Sequence, residues 1–169
     1  MKQAGFSLIE LLLAIVIAGI LAGIALPSFD STIANNRISS AANTVVGAFN
    51  LARVEATKRG AAVNISSVSG SNNWGVNGFL VWLDVNADGD FFDTTANDFD
   101  AGEVIRLYEP IANGLTLSAA GTVASMRFSA SGFVAPESTL CLSSNQASVQ
   151  DRQLNLALSG RASITAIDC

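Results

Sequence analysis

The stretch FSLIELLLAIVIAGILAGIAL, from Phe6 to Leu26, decides the organisation of this chain. It is a continuous apolar run that carries one charged side chain, Glu10. As an α-helix it would be about 31 Å long, which matches the hydrocarbon core of a bilayer. Lys2 precedes the run and is expected to remain cytoplasmic. The pattern therefore predicts a single membrane-spanning helix, with everything after Pro27 on the outer side.

A cleaved secretory signal peptide is the alternative interpretation of this run, since Gly23-Ile24-Ala25 offers a small-x-small cleavage site. Two features argue against it. Glu10 lies inside the apolar run, where a charge costs about 2.5–3.5 kcal/mol at mid-membrane and an export signal gains nothing from it. The helical pattern also continues past the cleavage site, so cleavage would divide one long helix.

The junction Gly5-Phe6-Ser7-Leu8-Ile9-Glu10 closely resembles the prepilin motif of type IV pilins and of the pseudopilins of type II secretion. The resemblance implies that residues 1–5 are a leader peptide, which a prepilin peptidase removes between Gly5 and Phe6 before methylating the Phe6 amine. It also implies that Glu10 pairs with a Phe6 amine during assembly. Physical chemistry agrees, because a carboxylate in hydrocarbon needs a cationic partner and this amine is the nearest one.

Residues 6–27 are predicted to form the hydrophobic half of a long helix. Residues 28–60 are predicted to continue this helix as its amphipathic half. Pro27 should kink or loosen the helix, because it lacks a backbone donor. Gly60 supplies a stop signal. Apolar residues that recur at three- and four-residue steps predict a stripe facing a core: Ile33, Ile38, Ala41, Ala42, Val45, Phe49, Ala52 and Ala56.

The segment NNRISSAANTVVGAFNLARVEATKRGAAV resembles the GspH/FimT family of minor pilins and pseudopilins, which includes FimU-like proteins. The matching features are Arg37 followed by small residues, Leu51-Ala52-Arg53 with Glu55-Ala56, and a basic pair before the first strand. The stretch from Trp74 to Glu109 is similar to the same family. The resemblance implies a pilin-like α+β fold, with the long helix packed on an antiparallel β-sheet domain at residues 61–169.

Short alternating runs bounded by glycines support that β-rich domain independently. Eight strands are predicted: Ala61 to Ser67, Gly78 to Asp84, Glu103 to Glu109, Leu115 to Ser118, Ser125 to Ser129, Ser138 to Leu142, Gln153 to Leu158 and Ala162 to Ile167.

The acidic loop (residues 84–103, DVNADGDFFDTTANDFDAGE) raises a metal hypothesis. Asp84, Asn86, Asp88 and Asp90 alternate as in the first half of a calcium loop. The second half fails, because Thr95 stands where an EF-hand has Glu, and Asp93 or a later acid would have to substitute. The alternative is a solvated acidic hairpin in which Asp, Asn and Gly serve turn geometry. Apart from this Ca²⁺, no cofactor is expected.

Composition restricts the other functions. The chain lacks histidine, which excludes a Ser-His-Asp or Cys-His hydrolase, and no phosphate-binding glycine loop appears, so an enzyme is not expected. The net charge of −5 disfavours nucleic acid. Cys141 and Cys169 predict a disulfide if the domain is exported, the alternative being two buried free thiols.

The resemblance implies three candidate roles. The first is a minor pilin, anchored in the inner membrane with a periplasmic domain, that primes pilus assembly with other minor and major pilins and the inner-membrane assembly platform. It would then lie near the filament tip. The second is a type II secretion pseudopilin. The third is a DNA-uptake receptor. Some members of the family bind DNA through a basic C-terminal tail with a Gly-Arg-x-Arg pattern, whereas this chain has Gly160-Arg161-Ala162-Ser163 and lacks the second arginine. On binding DNA, Arg152 and Arg161 alone would release too few counterions for a useful affinity at physiological salt.

Overall fold

The computed structural model describes residues 7–93, 98–100, 102–111 and 114–169, with the side chains of residues 24–29 and 93 left out of the description. The predicted processing site, Gly5 and Phe6, lies outside the described residues. In the described residues one helix, α1 (Leu8–Arg59), is followed by strands. At about 1.5 Å per residue this helix is about 78 Å long.

Pro27 lies inside α1, and the helix continues through it without a break. The helix ends where the sequence predicts. Gly60 adopts the left-handed conformation with φ 64°, which closes the last turn. Within that turn the Arg59 Nε–H donates to Glu55 Oε2 at 2.7 Å, and Lys58 Nζ lies 3.8 Å from Glu55 Oε1. The hydrogen bond from Arg59, together with both positive charges, lowers the pKa of Glu55. Glu55 therefore serves the helix end locally.

Eleven strands follow α1 within the described residues. They are β1 (Val63–Ser67), β2 (Phe79–Trp82), β3 (Phe92–Asp93), β4 (Asp98–Phe99), β5 (Val104–Tyr108), β6 (Leu115–Ala119), β7 (Ser125–Phe128), β8 (Val134–Ala135), β9 (Ser138–Ser144), β10 (Arg152–Leu156) and β11 (Ala162–Ala166). All eight predicted strands are present. The three that the sequence did not predict, β3, β4 and β8, have two residues each, too short to show an alternating pattern.

The strands divide into two main antiparallel sheets, both packed against the second half of α1. The first sheet has the order β5-β2-β1-β7-β8 and the second has the order β11-β10-β9-β6. A separate two-stranded ribbon, β3-β4, lies within the acidic loop. The α+β, pilin-like architecture predicted from the sequence is confirmed. The division into two sheets is new information, because strand periodicity does not specify which strands pair.

The core lies between α1 and the two sheets. On the helix it is formed by residues that are at most 7% exposed: Ala34, Ile38, Ala42, Val45, Ala48, Phe49, Ala52 and Ala56. The predicted stripe is correct except at two positions. Ile33 is 47% exposed, and Ala41 is only partly buried. Because each residue turns the helix by about 100°, Ala34 takes the inward place instead, in register with Ile38 four residues later.

The segment between β1 and β2 joins the two sheets. Trp74 is fully buried there, and its indole Nε1–H donates to the Val123 carbonyl at 3.0 Å. The backbone N–H groups of Trp74 and Gly75 both donate to the Leu117 carbonyl of β6, at 2.9 and 3.1 Å. A side chain on Gly75 would meet the Leu117 nitrogen at 2.9 Å, so the close approach requires glycine. The domain is therefore one packed unit.

Gly160 lies at a second close contact between the two sheets, against the Gly132 backbone and the Arg53 side chain. Its φ is +73°, and a Cβ there would overlap the carbonyl oxygen of Gly132 and approach Arg53 Cδ at 3.3 Å. The nearby Val134 N–H donates to the Leu158 carbonyl at 2.9 Å, which links β8 of the first sheet to the second sheet. The fold therefore requires glycine at position 160, the first residue of the Gly160-Arg161 pair.

Candidate functional site

The N-terminal half of α1 extends away from the domain as an exposed apolar rod (residues 8–23). Every residue of the rod is exposed, and beyond the side chains left out of the description the first buried residue of the helix is Ala34. Its large side chains are between 49% and 80% exposed: Leu8, Ile9, Leu11, Leu12, Leu13, Ile15, Val16, Ile17, Ile20 and Leu21. A monomeric soluble protein rarely exposes a contiguous apolar surface of this size. The rod is therefore a surface that needs a partner or a lipid environment.

Glu10 is the one ionisable side chain on this rod. It lies in the first turn of α1, where its backbone N–H donates to the Ser7 carbonyl at 3.0 Å. A carboxylate in the first turn of a helix is favoured by the helix dipole. Its side chain is exposed together with the apolar residues around it. The structure thus places Glu10 where a neighbouring subunit could reach it, while its proposed partner, the Phe6 amine, lies outside the described residues.

Among the described residues, no helical segment combines the length and the apolar character needed to cross a membrane.

The two cysteines form a disulfide, as the sequence predicts for an exported domain. Cys141 on β9 and the C-terminal Cys169 are bonded with their Cα atoms 6.0 Å apart. Asp151 supports the same end of the chain, because its Oδ2 accepts from the Cys169 N–H at 3.4 Å and its Oδ1 accepts from the Ser144 N–H at 3.2 Å. The alternative of two free thiols is excluded.

The acidic loop brings together part of the predicted calcium set and adds an acid that the sequence did not single out. Carboxylate oxygens of Asp84, Asp88 and Glu103 lie within 4.8 Å of one another, and those of Asp88, Asp90 and Asp100 form a second such group. Glu103 could have been found from the strand pairing. It directly precedes β5, which pairs with β2, and the Leu83 N–H donates to the Glu103 carbonyl at 2.9 Å.

Asn86, also predicted as a ligand, is occupied within the loop itself. Its Nδ2–H donates to Asp88 Oδ2 at 2.7 Å, and its Oδ1 accepts from the Asp88 N–H at 3.0 Å. The amide therefore holds a turn. Asp93, named as one substitute for the missing glutamate, has a side chain outside the described residues. Glu103, a later acid of the same loop, completes a group with Asp84 and Asp88.

The two arginines considered for DNA binding are not brought together. Arg152 lies at the start of β10, opposite Ala166, while Arg161 precedes Ala162, which pairs with Leu156 at the other end of the hairpin. At about 3.3 Å per residue the hairpin separates them by roughly 17 Å. Arg152 also donates to the backbone carbonyls of Gln150 and Asp151, at 2.9 and 3.1 Å. Two separated cations in a negative protein are a weak surface for phosphates.

An open groove of about 350 Å³ lies between α1 and the first sheet, beside Phe79 and Tyr108. These two rings stack with their centroids 4.7 Å apart, and partial burial raises the pKa of Tyr108. The charged residues lining the groove are Arg37 and Glu109. Its lining offers no nucleophile paired with a base among the described residues.

Comparison with known proteins identifies the group to which this architecture belongs. The family described as Type II transport protein GspH matches residues 41–160, most of the chain. This chain belongs to the GspH family. The prokaryotic N-terminal methylation motif matches residues 1–26, which include Gly5, Phe6 and Glu10. No curated protein sequence matches this GspH-family chain.

Solved structures of two other proteins resemble the fold of this GspH-family chain. The type IV minor pilin FimU of Pseudomonas aeruginosa superposes with a TM-score of 0.61 at 22% identity, covering 77% of this chain and 89% of FimU. The minor pseudopilin EpsH from the type 2 secretion system of Vibrio cholerae gives 0.52 at 12% identity, covering 77% of this chain and 97% of EpsH. The GspH-family chain therefore shares its fold with a minor pilin and with a minor pseudopilin.

Proposed function

We propose that this chain is a minor pilin that takes part in priming the assembly of a type IV pilus. The observation that carries the proposal is the exposed apolar rod with its single carboxylate, attached to a folded domain whose own core is complete. Such a rod is suited to enter a bundle of similar helices, in which Glu10 sets the register and the β domain contacts other subunits. This is a structural role, and no catalytic activity is proposed.

The same segment supports the proposed location. The methylation motif at residues 1–26 and the apolar run from Phe6 to Leu26 support an inner-membrane anchor before assembly. Lys2 favours the inside-facing N-terminus, which directs the domain to the periplasm. The Cys141–Cys169 disulfide fits that oxidising compartment. Prepilin peptidase, the inner-membrane assembly platform and other minor and major pilins are the proposed partners, and the filament tip is the proposed final location.

Two features favour the pilus over the secretion machine. The overlap with FimU is better than that with EpsH, with TM-scores of 0.61 and 0.52. A disulfide-closed C-terminal segment is also more typical of pilins than of secretion pseudopilins, and this chain has one. The type II secretion pseudopilin remains the second candidate, because the matching family description refers to type II transport.

Deletion of the gene distinguishes these candidates. We expect strong loss of major pilin sheared from the cell surface, with export of secreted proteins unchanged, because a priming subunit limits how many filaments start. Immunoblots of sheared major pilin and of culture supernatant measure both quantities, and a complemented strain is the control. Unchanged surface pili combined with failed protein secretion would instead assign the chain to the secretion machine.

A further inference from the structure

We propose that the acidic loop binds a calcium ion through Asp84, Asp88 and Glu103. This inference concerns the folded domain alone and does not depend on which filament the chain enters.

Glu103 carries the strongest argument. The residue is only 1% exposed, although it is a carboxylic acid at the C-terminal end of the acidic loop. Its Oε1 accepts from the backbone N–H groups of Val85 and Asn86, at 2.6 and 3.0 Å. Its Oε2 is buried without a hydrogen-bond partner among the described residues. An ionised oxygen in this situation is costly unless a cation or a proton compensates it.

Asp84 presents a second buried oxygen of the same kind. Its Oδ1 also lies without a hydrogen-bond partner in the described part of the chain. One oxygen from each of Asp84, Asp88 and Glu103 lies within 4.8 Å of the other two. Calcium–oxygen distances are about 2.3–2.6 Å, so two ligands on a common ion are at most about 5 Å apart. The spacing of the three carboxylates therefore fits a shared ion.

In the part of the chain that the structure describes, no ion pair balances the charge of this site. Within the described ranges both ion pairs involve Glu55 on α1, with Lys58 and Arg59, and none involves Asp84, Asp88 or Glu103. The neighbouring carboxylates of Asp90 and Asp100 approach Asp88 and add further negative charge. Carboxylates this close repel one another, and a bound cation removes that repulsion.

The donor set selects the kind of cation. All three ligands are carboxylate oxygens, which favour hard cations over zinc or copper. Calcium accepts irregular oxygen shells of six to eight ligands, whereas magnesium demands near-ideal octahedral geometry and keeps its water. The exposed position of Asp88 leaves the open side of the site to water ligands. Calcium is therefore the cation we assign.

The test is calcium titration of the full-length chain in detergent micelles after treatment with a chelator. Isothermal titration calorimetry is expected to give one site per chain with Kd of about 10⁻⁴–10⁻³ M, the range of extracellular calcium modules. Magnesium should bind more weakly. About 10 mM calcium should raise the Tm by roughly 5 °C or more, because the ion binds only the folded state.

Two variants test the ligands. Glu103→Gln keeps an oxygen for the Val85 and Asn86 N–H groups but loses the charge, and we expect at least about tenfold weaker calcium binding. Asp88→Asn alters an exposed residue, so it decides the matter if Glu103→Gln does not fold. Glu137→Gln, an exposed acid outside the loop, is the matched control and should bind calcium normally. Absence of calcium binding by the folded wild-type chain, or normal binding by Asp88→Asn, would overturn the proposal.

Discussion

Replacing Glu10 with alanine is expected to reduce surface filaments at least about tenfold, while the variant chain remains in the membrane at the wild-type level. The reason is the position of this carboxylate on the apolar rod. A charge surrounded by hydrocarbon costs about 2.5–3.5 kcal/mol unless a cation meets it. In an assembled bundle, the processed N-terminal ammonium of Phe6 is the proposed cation. A neighbouring helix in the correct register places this ammonium beside Glu10 and offsets the cost, whereas an incorrect register leaves the carboxylate without a cation.

The measurement compares strains that lack the native gene and carry either the wild-type or the variant gene. Immunoblots quantify sheared major pilin and the membrane-associated chain in the same cells. Asp30→Asn is the matched control, because Asp30 is the next acid along α1 and is also exposed. We expect Asp30→Asn to restore filaments fully. Normal filaments with Glu10→Ala would contradict the assembly role assigned to this carboxylate.

Removing the disulfide has the largest expected effect on the stability of the domain. The bond joins residues 28 positions apart and encloses the β10–β11 hairpin. Closing such a loop restricts the unfolded chain, which stabilises the fold by about 3–4 kcal/mol. The enclosed strand β11 has little burial of its own, since four of its five residues are exposed. The double variant Cys141→Ser/Cys169→Ser should therefore lose roughly 10–20 °C in Tm.

Thermal unfolding of the full-length chain in detergent micelles, followed by circular dichroism, measures this loss. Reduction of the wild-type chain with dithiothreitol serves as the control, because it should lower the Tm to that of the double variant. The same reagent should leave the double variant unchanged. A double variant within about 1 kcal/mol of the wild type would show that the strand pairings hold the C-terminus without the covalent bond.

Much of the fold could be predicted because its signals are local. The helical stripe from Ile38 to Ala56 repeats at three- and four-residue steps, and Gly60 ends it as a left-handed residue. The exchange of Ile33 for Ala34 shows the limit of such patterns. Hydrophobicity favours the larger side chain, whereas the rotation of the helix relative to the sheets decides which of two adjacent residues faces inward.

The rest depends on contacts between distant parts of the chain. The division of the strands into two sheets rests on pairings such as β1 with β7, which no local pattern specifies. Glu103 joins Asp84 only because β2 and β5 pair across the acidic loop. The sequence pointed to the loop and to two of the three acids. It could not show that the third acid is buried with an oxygen that has no hydrogen-bond partner.

Mass spectrometry of filaments sheared from wild-type cells decides whether this chain is a processed subunit of a type IV filament, as we propose. We expect peptides from the β domain together with an N-terminal peptide that begins at N-methylated Phe6, at a small fraction of the major pilin. Sheared filaments free of this chain, with its processed form confined to the membrane fraction, would show that the chain is not a filament subunit.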